Sequence, residues 1–464
     1  MAAIESHLPQ SNACRPQSNA CRPLRYRLVI PIAALLLFGA FALLWHMGWH
    51  SVYFAALHYF GVLRPPEIQP WYFPFLDGNA LLAAAECQRQ GMDVYVENPC
   101  DVLGRVHVYS PLWLSIIPGF LSTADTPWVG LFLDLIFILC LAAVFRPRSW
   151  SEITLFAVAV FSQTTVFAVE RANSDVVVFI LVVCGSLLWS ERYGQRVVAY
   201  GLYLLAGLLK YYPLVLLILI LRERWQRAFV LATGAGLGIL ALIAGYQGEL
   251  AIALRNIPRL SYFMDTFSAQ NLPYGILEVV WGPQAHLHKL AGPALLAILA
   301  TGTVALAWRQ SRLLNHSGID WTGWETRNLA IASLLLPACF FASQNVGYRG
   351  IYLLLALPGL VSLRHLVTDP SVRRWLTRMT LFGLLIMWSG FFRNGYDILT
   401  GVGTPEFAQS SIKVFIWVLL WIGRELVWWW LVAGFMALAA WFVFSLPLTR
   451  DLVAQLRLRL APAR

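Results

Sequence analysis

Charge is what this sequence has least of. Only 12% of its residues are charged and its mean hydropathy is +0.64, whereas a soluble domain carries roughly 25% charge. That shortfall excludes an ordinary water-soluble fold. Lysine occurs only at 210, 289 and 413, so the formal charge of +10 is almost wholly arginine, dispersed among short segments. Such dispersal is not the clustered footprint of a nucleic-acid binder, and nucleic acid is not expected as a partner. A glycine-rich phosphate loop ending in lysine and a dinucleotide fingerprint are also missing, so no nucleotide cofactor is expected. Metal-ligand spacing is absent, although Asp77, Asp93 and His107 share one segment. No cleavable leader is visible. The first apolar run follows Arg22, Arg25 and Arg27, is long enough to span, and lacks a small-residue cleavage site, so it is expected to stay as an anchor.

Apolar stretches of about 20 residues cross the hydrocarbon core. They lie near 28–47, 127–145, 152–169, 176–190, 228–245, 290–308, 328–346, 348–363, 377–394 and 425–446. Two shorter pieces, 197–209 and 211–221, flank Lys210-Tyr211-Tyr212-Pro213. Arginine-rich loops mark the cytoplasmic side, here around 146–148, 192–196, 222–227, 309–312, 364–378 and beyond 450. Both ends of 197–221 then sit inside, so its halves must go out and return as a hairpin or re-entrant segment. The predicted class is an all-α polytopic membrane protein of about twelve helices, within a range of roughly ten to thirteen. It is expected in the plasma (bacterial inner) membrane with both termini cytoplasmic. Twenty tryptophans and seventeen tyrosines suit so many membrane–water interfaces.

The division expected along the chain has four parts. Residues 1–27 form a disordered cytoplasmic extension and 28–363 a transmembrane module. C-terminal membrane helices occupy 364–449, and 450–464 is a basic cytoplasmic tail. Within 1–27, QSNACRP occurs twice in tandem, at 10–16 and 17–23; two copies are too few for a repeat fold, and Cys14 and Cys21 are read as incidental.

Inside the module, the loop 48–126 has seven acidic residues against three arginines. That is the reverse of the inner loops and places it outside. Cys87 and Cys100 share it in an oxidising compartment and are expected to pair. Cys140, Cys184 and Cys339 lie in apolar runs and read as packing residues.

Asp77 opens the hydrophilic part of that loop, after Trp71-Tyr72-Phe73-Pro74-Phe75 and before Gly78-Asn79 and a helical-looking segment. Its residue type suits a helix N-cap. It equally suits a partly desolvated carboxylate at the membrane face that takes a proton from a substrate hydroxyl. Glu170-Arg171-Ala172-Asn173-Ser174-Asp175 carries more hydrogen-bonding side chains than a short turn requires. Tyr109-Ser110-Pro111-Leu112-Trp113 leads into a short external or re-entrant helix. Lys210, midway through an apolar stretch, is expected to face a cavity or a partner rather than lipid, or to snorkel to the outer interface from the hairpin tip; beside Tyr211 and Tyr212 it could also neutralise a lipid phosphate. Ser343 to Arg349, including Gln344, Tyr348 and Arg349, form another external tip. Asp134, within a predicted span, reads as a structurally paired acid. Topology brings all the external tips to one side.

These segments resemble the polytopic GT-C glycosyltransferases, most nearly glycosyltransferase family 87, the polyprenyl-phosphate-mannose-dependent α-mannosyltransferase type. The resemblance rests on Asp77 in the first external loop, Gly91-Met92-Asp93-Val94-Tyr95, Tyr109-Ser110-Pro111-Leu112, Glu170 to Asp175, Leu209-Lys210-Tyr211-Tyr212-Pro213-Leu214 and the Ser343–Tyr348 tip. It covers 28–363 loosely; Ala172 stands where glycine is usual and Ser110 where proline is. The resemblance implies Asp77 as general base, a polyprenyl-phosphate sugar as donor and a glycolipid or glycan as acceptor. Arg171, Lys210 and Arg349 would meet the lipid phosphate as it leaves. No cofactor or divalent metal is implied, because the leaving group is a lipid monophosphate. A glycolipid flippase is the alternative from another class, suggested by the interrupted 197–221 segment.

Overall fold

Apolar runs with few breakers fold as helices because a backbone removed from water must bond within itself. The structure is a computed structural model, and it describes residues 24–62, 72–258, 260–282, 288–314, 321–401 and 412–460. The tandem repeat with Cys14 and Cys21 lies outside these residues. Five helices are long and apolar enough to cross a membrane: Tyr26–His46, Thr123–Val144, Trp225–Gly245, Leu290–Leu314 and Ile412–Ser445. Two bent pairs qualify if each is one span. Trp150–Val160 and Gln163–Glu170 meet at 52°, and Pro370–Met387 and Ser389–Thr400 at 50°. The chain is therefore an all-α protein of membrane type.

The first bend has a local cause. Ser162 ends one helix and caps the next, its hydroxyl accepting from the Thr165 N–H. A short helix, Ser174–Leu188, follows after Asn173, whose side chain accepts from the Asp175 N–H as an N-cap.

The 197–221 segment is a hairpin. Helix Tyr193–Lys210 breaks at Tyr211, whose φ of 60° is left-handed, and the chain returns as a 3₁₀ helix, Tyr212–Arg222. Pro213 has no N–H to continue an α-helix. Gly207 allows the close return: a Cβ there would lie 2.5 Å from Leu214 Cδ2. At the far end Arg196 Nε meets Glu223 Oε1 at 2.5 Å, and Tyr200 donates to the same oxygen at 3.0 Å, so both ends lie together.

Instead of a span starting at 348, the chain after helix Trp324–Ala342 makes a strand, Asn345–Val346, and a 3₁₀ turn, Gly347–Tyr352. Only then does helix Leu353–Leu366 begin. The strand pairs antiparallel with Thr266–Phe267, Thr266 opposite Val346. Crowding forces the turn. A Cβ on Gly347 would sit 2.8 Å from Asp265 Oδ1, and one on Gly350 3.1 Å from Thr164 Cγ2. The interior between these helices is aromatic, with Phe179, Phe340, Tyr352, Trp417 and Phe435 fully buried.

Candidate functional site

Helix Leu76–Arg89 carries Asp77 in its first turn, and its start has no side-chain cap. The 170–171 backbone does that work. Glu170 O accepts from the Phe75 N–H at 2.7 Å, and Arg171 O accepts from the N–H groups of both Asp77 and Gly78 at 3.1 Å. The Asp77 carboxylate is therefore not the N-cap its residue type suggested. It is free to meet side chains.

Two residues with positive φ shape this junction. Phe75 has φ of 67°, and its ring packs where Gly130 lacks a side chain; a Cβ on Gly130 would fall 2.2 Å from Phe75 Cγ. Ala172 has φ of 45°, a conformation that favours glycine and costs other residues about 1–2 kcal/mol. Gly78 faces it, with room for a Cβ only 3.1 Å from Ala172 Cβ.

Asp77 is held from three directions. Asn173 Nδ2 donates to its Oδ2 at 2.8 Å, Arg105 Nη1 to its Oδ1 at 3.3 Å, and Arg171 Nη1 stands 3.9 Å from Oδ1. Its side chain keeps 16% of its exposure. Arg105 is fixed by Asp101 through Nε and Nη2 at 3.0 and 2.9 Å, and by Leu76 O. Burial opposes the Arg105 charge, but Asp101 and Asp77 outweigh it and hold the guanidinium's pKa above its usual value. Burial likewise raises the Tyr109 hydroxyl pKa, helped by Asp77 and Asp175, so this phenol is a neutral donor.

Behind Asp77 lies a second charged group. Lys210 Nζ donates to Asp175 Oδ2 at 2.6 Å, Ser174 Oγ at 2.8 Å and Asn173 Oδ1 at 3.4 Å, and it lies 5.6 Å from the Tyr109 ring centre. It does not point outward from the hairpin tip as a phosphate-facing lysine would; it is a buried ion pair. Tyr212 donates to Asp175 Oδ1 at 2.5 Å and bonds Tyr352, while Arg349 Nε stands 3.8 Å from Asp175 Oδ2. Arg349 is buried, yet its Nε and Nη1 have no hydrogen-bond partner. Tyr211 lies at the hairpin break, its hydroxyl near Ser110. The five-residue helix Leu112–Ile116 docks on the same tip, Trp113 Nε1 donating to Leu209 O at 3.2 Å.

Other predicted residues stand further off. Glu170 turns away from Asp77 and accepts from Tyr53 and Tyr72 at 2.7 and 2.8 Å. Arg171 stacks over Tyr72 and Phe167, and Phe167 meets Tyr348 edge-on at 5.5 Å. Gln344 is structural, accepting from the Leu260 N–H at 3.0 Å and donating to Asn271 at 3.4 Å. His107 is buried beside Ser110 O, and burial pulls its pKa down to about 4. Among the described residues no group of three or more His, Cys, Asp or Glu could hold a metal ion.

Cys87 and Cys100 form a disulfide with an S–S distance of 2.09 Å. It ties the end of the Asp77 helix to the segment that presents Asp101 and Arg105. Cys140 and Cys339 are buried, Cys184 less so.

Beside the site, a cavity of about 470 Å³ runs between Phe38, Trp45, Phe75 and Trp128, with Asp134 and Glu170 in its wall. Among the described residues the pairing expected of Asp134 is not seen at its buried Oδ1, which has no hydrogen-bond partner.

Sequence reasoning missed Arg105 and Asp101. The signal was present, since Arg105 is one of only three arginines in an acidic loop and stands four residues after Asp101. It also missed the clamp on the 343–349 tip, where Arg424 Nη2 meets Asp265 Oδ1 at 2.6 Å and Asp265 O accepts from the Gly347 N–H at 2.7 Å. No family model, curated protein or solved structure matches this chain.

Proposed function

We propose that the protein is a membrane glycosyltransferase that moves a hexosyl unit, most simply mannosyl, from a polyprenyl-phosphate sugar to a glycolipid or glycan acceptor. One observation carries this reading: the Asp77 carboxylate is relieved of capping, anchored by Asn173, Arg105 and Arg171, and its side chain stays 16% exposed. The acceptor hydroxyl attacks the anomeric carbon as Asp77 takes its proton, and the lipid phosphate departs from the opposite face with inversion. Arg171 and Arg349 offer cationic charge to the departing phosphate, Arg349 from a buried position beside Asp175. Lys210 acts one step back, fixing Asn173 and Asp175. The aromatic cavity beside Phe75 suits the donor's hydrocarbon chain.

The topology belongs to this proposal: about twelve spans, both termini cytoplasmic and Asp77 facing the exterior of a plasma membrane. Beyond the long helices and bent pairs, the remaining spans are Ser174–Leu188, the two hairpin halves, Trp324–Ala342 and Leu353–Leu366. Several are short, which is tolerable where protein rather than lipid surrounds them. The break at Tyr211 favours a flippase as the second reading.

Purified protein incubated with radiolabelled polyprenyl-phosphate mannose and a lipid extract should yield a new labelled glycolipid. Label that changes leaflet without forming a product would favour the flippase.

A further inference from the structure

The end of the bundle opposite Asp77 carries a second feature, independent of sugar transfer. Helix Leu353–Leu366 begins next to Tyr352, which bonds Asp175, and runs 14 residues away, about 20 Å. Where it ends, Arg364 and His365 join Arg373, Arg374, Thr377 and Arg378 of helix Pro370–Met387 around a concavity of about 560 Å³.

Among the described residues no carboxylate forms an ion pair with these arginines. Some arginines of the other predicted inner loops are paired, Arg148 with Glu325 at 3.6 Å, Arg196 with Glu223 at 2.5 Å and Arg222 with Glu191 at 2.6 Å, whereas four arginines line this one concavity. Arg364, Arg373, Arg374 and Arg378 have no ion-pair partner among the described residues. The acids nearby are otherwise engaged. Glu152 accepts from the Arg148 N–H and stands 3.7 Å from His365, and Asp369 caps Ser371. Arg373 and Arg374 also stand near the start of their helix, where its dipole is already positive. Like charges gathered this way call for an anion.

The helix itself indicates which anion. Arg374, Arg378, Leu381 and Leu385 follow one another at spacings of four, three and four, so they form one stripe on one face. All four are exposed, Leu381 at 57% and Leu385 at 46%. The stripe changes from guanidinium to hydrocarbon within a single turn. We propose that this concavity binds the phosphate headgroup of an anionic phospholipid, with the acyl chain lying along Leu381 and Leu385. The helix belongs to a bent pair apolar enough to span a membrane, so the exposed leucines face acyl chains and set the arginines at headgroup depth, where a lipid phosphate is the anion at hand.

The test uses the full-length protein in vesicles of phosphatidylcholine alone or mixed with phosphatidylglycerol, reading lipid retention by native mass spectrometry and thermal unfolding. Wild type should retain phosphatidylglycerol selectively and unfold at higher temperature in its presence. Each arginine near a charged headgroup is worth roughly fivefold in affinity, so R373Q/R374Q/R378Q should lose about 100-fold of the preference. The corresponding triple lysine variant should keep most of it, which separates lost charge from lost folding. Equal retention of both lipids by wild type overturns the proposal, as does a glutamine variant that keeps its preference. Inorganic pyrophosphate producing the same stabilisation in phosphatidylcholine alone would overturn it too, in favour of a soluble anion. No outcome depends on glycosyl transfer.

Discussion

Asn173 donates to Asp77 through Nδ2 at 2.8 Å and, through Oδ1, accepts from both the Asp175 N–H and the Lys210 ammonium. One amide thus caps a helix, orients the proposed base and joins it to the buried ion pair. The positions that converge are 77, 173, 175 and 210, so the link exists only in the folded chain.

Asp77→Asn should lower transfer by roughly 100- to 10,000-fold, the usual cost of losing a general base. Folding should be intact, because Arg171 O rather than the Asp77 side chain caps the helix. Radiolabel transfer alongside thermal unfolding reads both. Near-normal transfer by the Asn variant would remove Asp77 from the chemistry.

Asn173→Ser separates capping from positioning. Serine caps about as well as asparagine but is too short to reach Asp77. The expected result is an unchanged donor KM with kcat lower by roughly 100-fold, the penalty of a misaligned group, and a stability loss no larger than that of Asn173→Ala, since the cap is kept while the buried bond to Asp77 is lost. Asn173→Ala should lose about 1 kcal/mol of stability as well. A Ser variant with normal kcat would show that Asn173 only caps.

Lys210→Met should act mainly on folding. Removing one partner of a buried ion pair costs about 3–5 kcal/mol, and Arg349 at 3.8 Å compensates Asp175 only in part. Adding Asp175→Asn to that variant should restore part of the lost stability, which a double-mutant cycle of unfolding temperatures would detect. A Met variant of normal stability with a raised donor KM would instead make Lys210 a direct phosphate ligand.

Reduction of the Cys87–Cys100 bridge should loosen the segment bearing Asp101 and Arg105. Closing a loop of this length is worth about 3 kcal/mol. Cys87→Ser/Cys100→Ser should insert normally yet transfer more slowly, with faster hydrogen exchange across 93–107. Unchanged exchange there would mean that the loop is held by other contacts.

His107 gives the loop a pH dependence. Burial lowers its pKa to about 4 from the usual value near 6.5, so the unfolded loop takes up a proton before the folded one does. Above about pH 7 nothing changes. Between about pH 6.5 and 4 the loop should lose up to roughly 3 kcal/mol, levelling off below that. Proteolysis of 93–107 should therefore rise on acidification, and His107→Gln should flatten the dependence.

Hydropathy by itself determined the class of this protein. Runs of about 20 apolar residues have one solution in lipid, a helix, and the acid-rich loop, its two cysteines and the polar segments at 77, 170–175, 210 and 343–349 were all legible because polar groups stand out in such a chain. Their roles were not legible. Whether the Asp77 side chain caps its helix depended on Arg171 O, 94 positions away in the chain, arriving to take its N–H. Whether Lys210 faces phosphate or Asp175 depended on the hairpin docking against helix Ser174–Leu188, and Arg105 joined Asp77 only through a loop folded back on itself. Residue type fixes what a group can do, but partners fix what it does, and partners distant in sequence are chosen by packing.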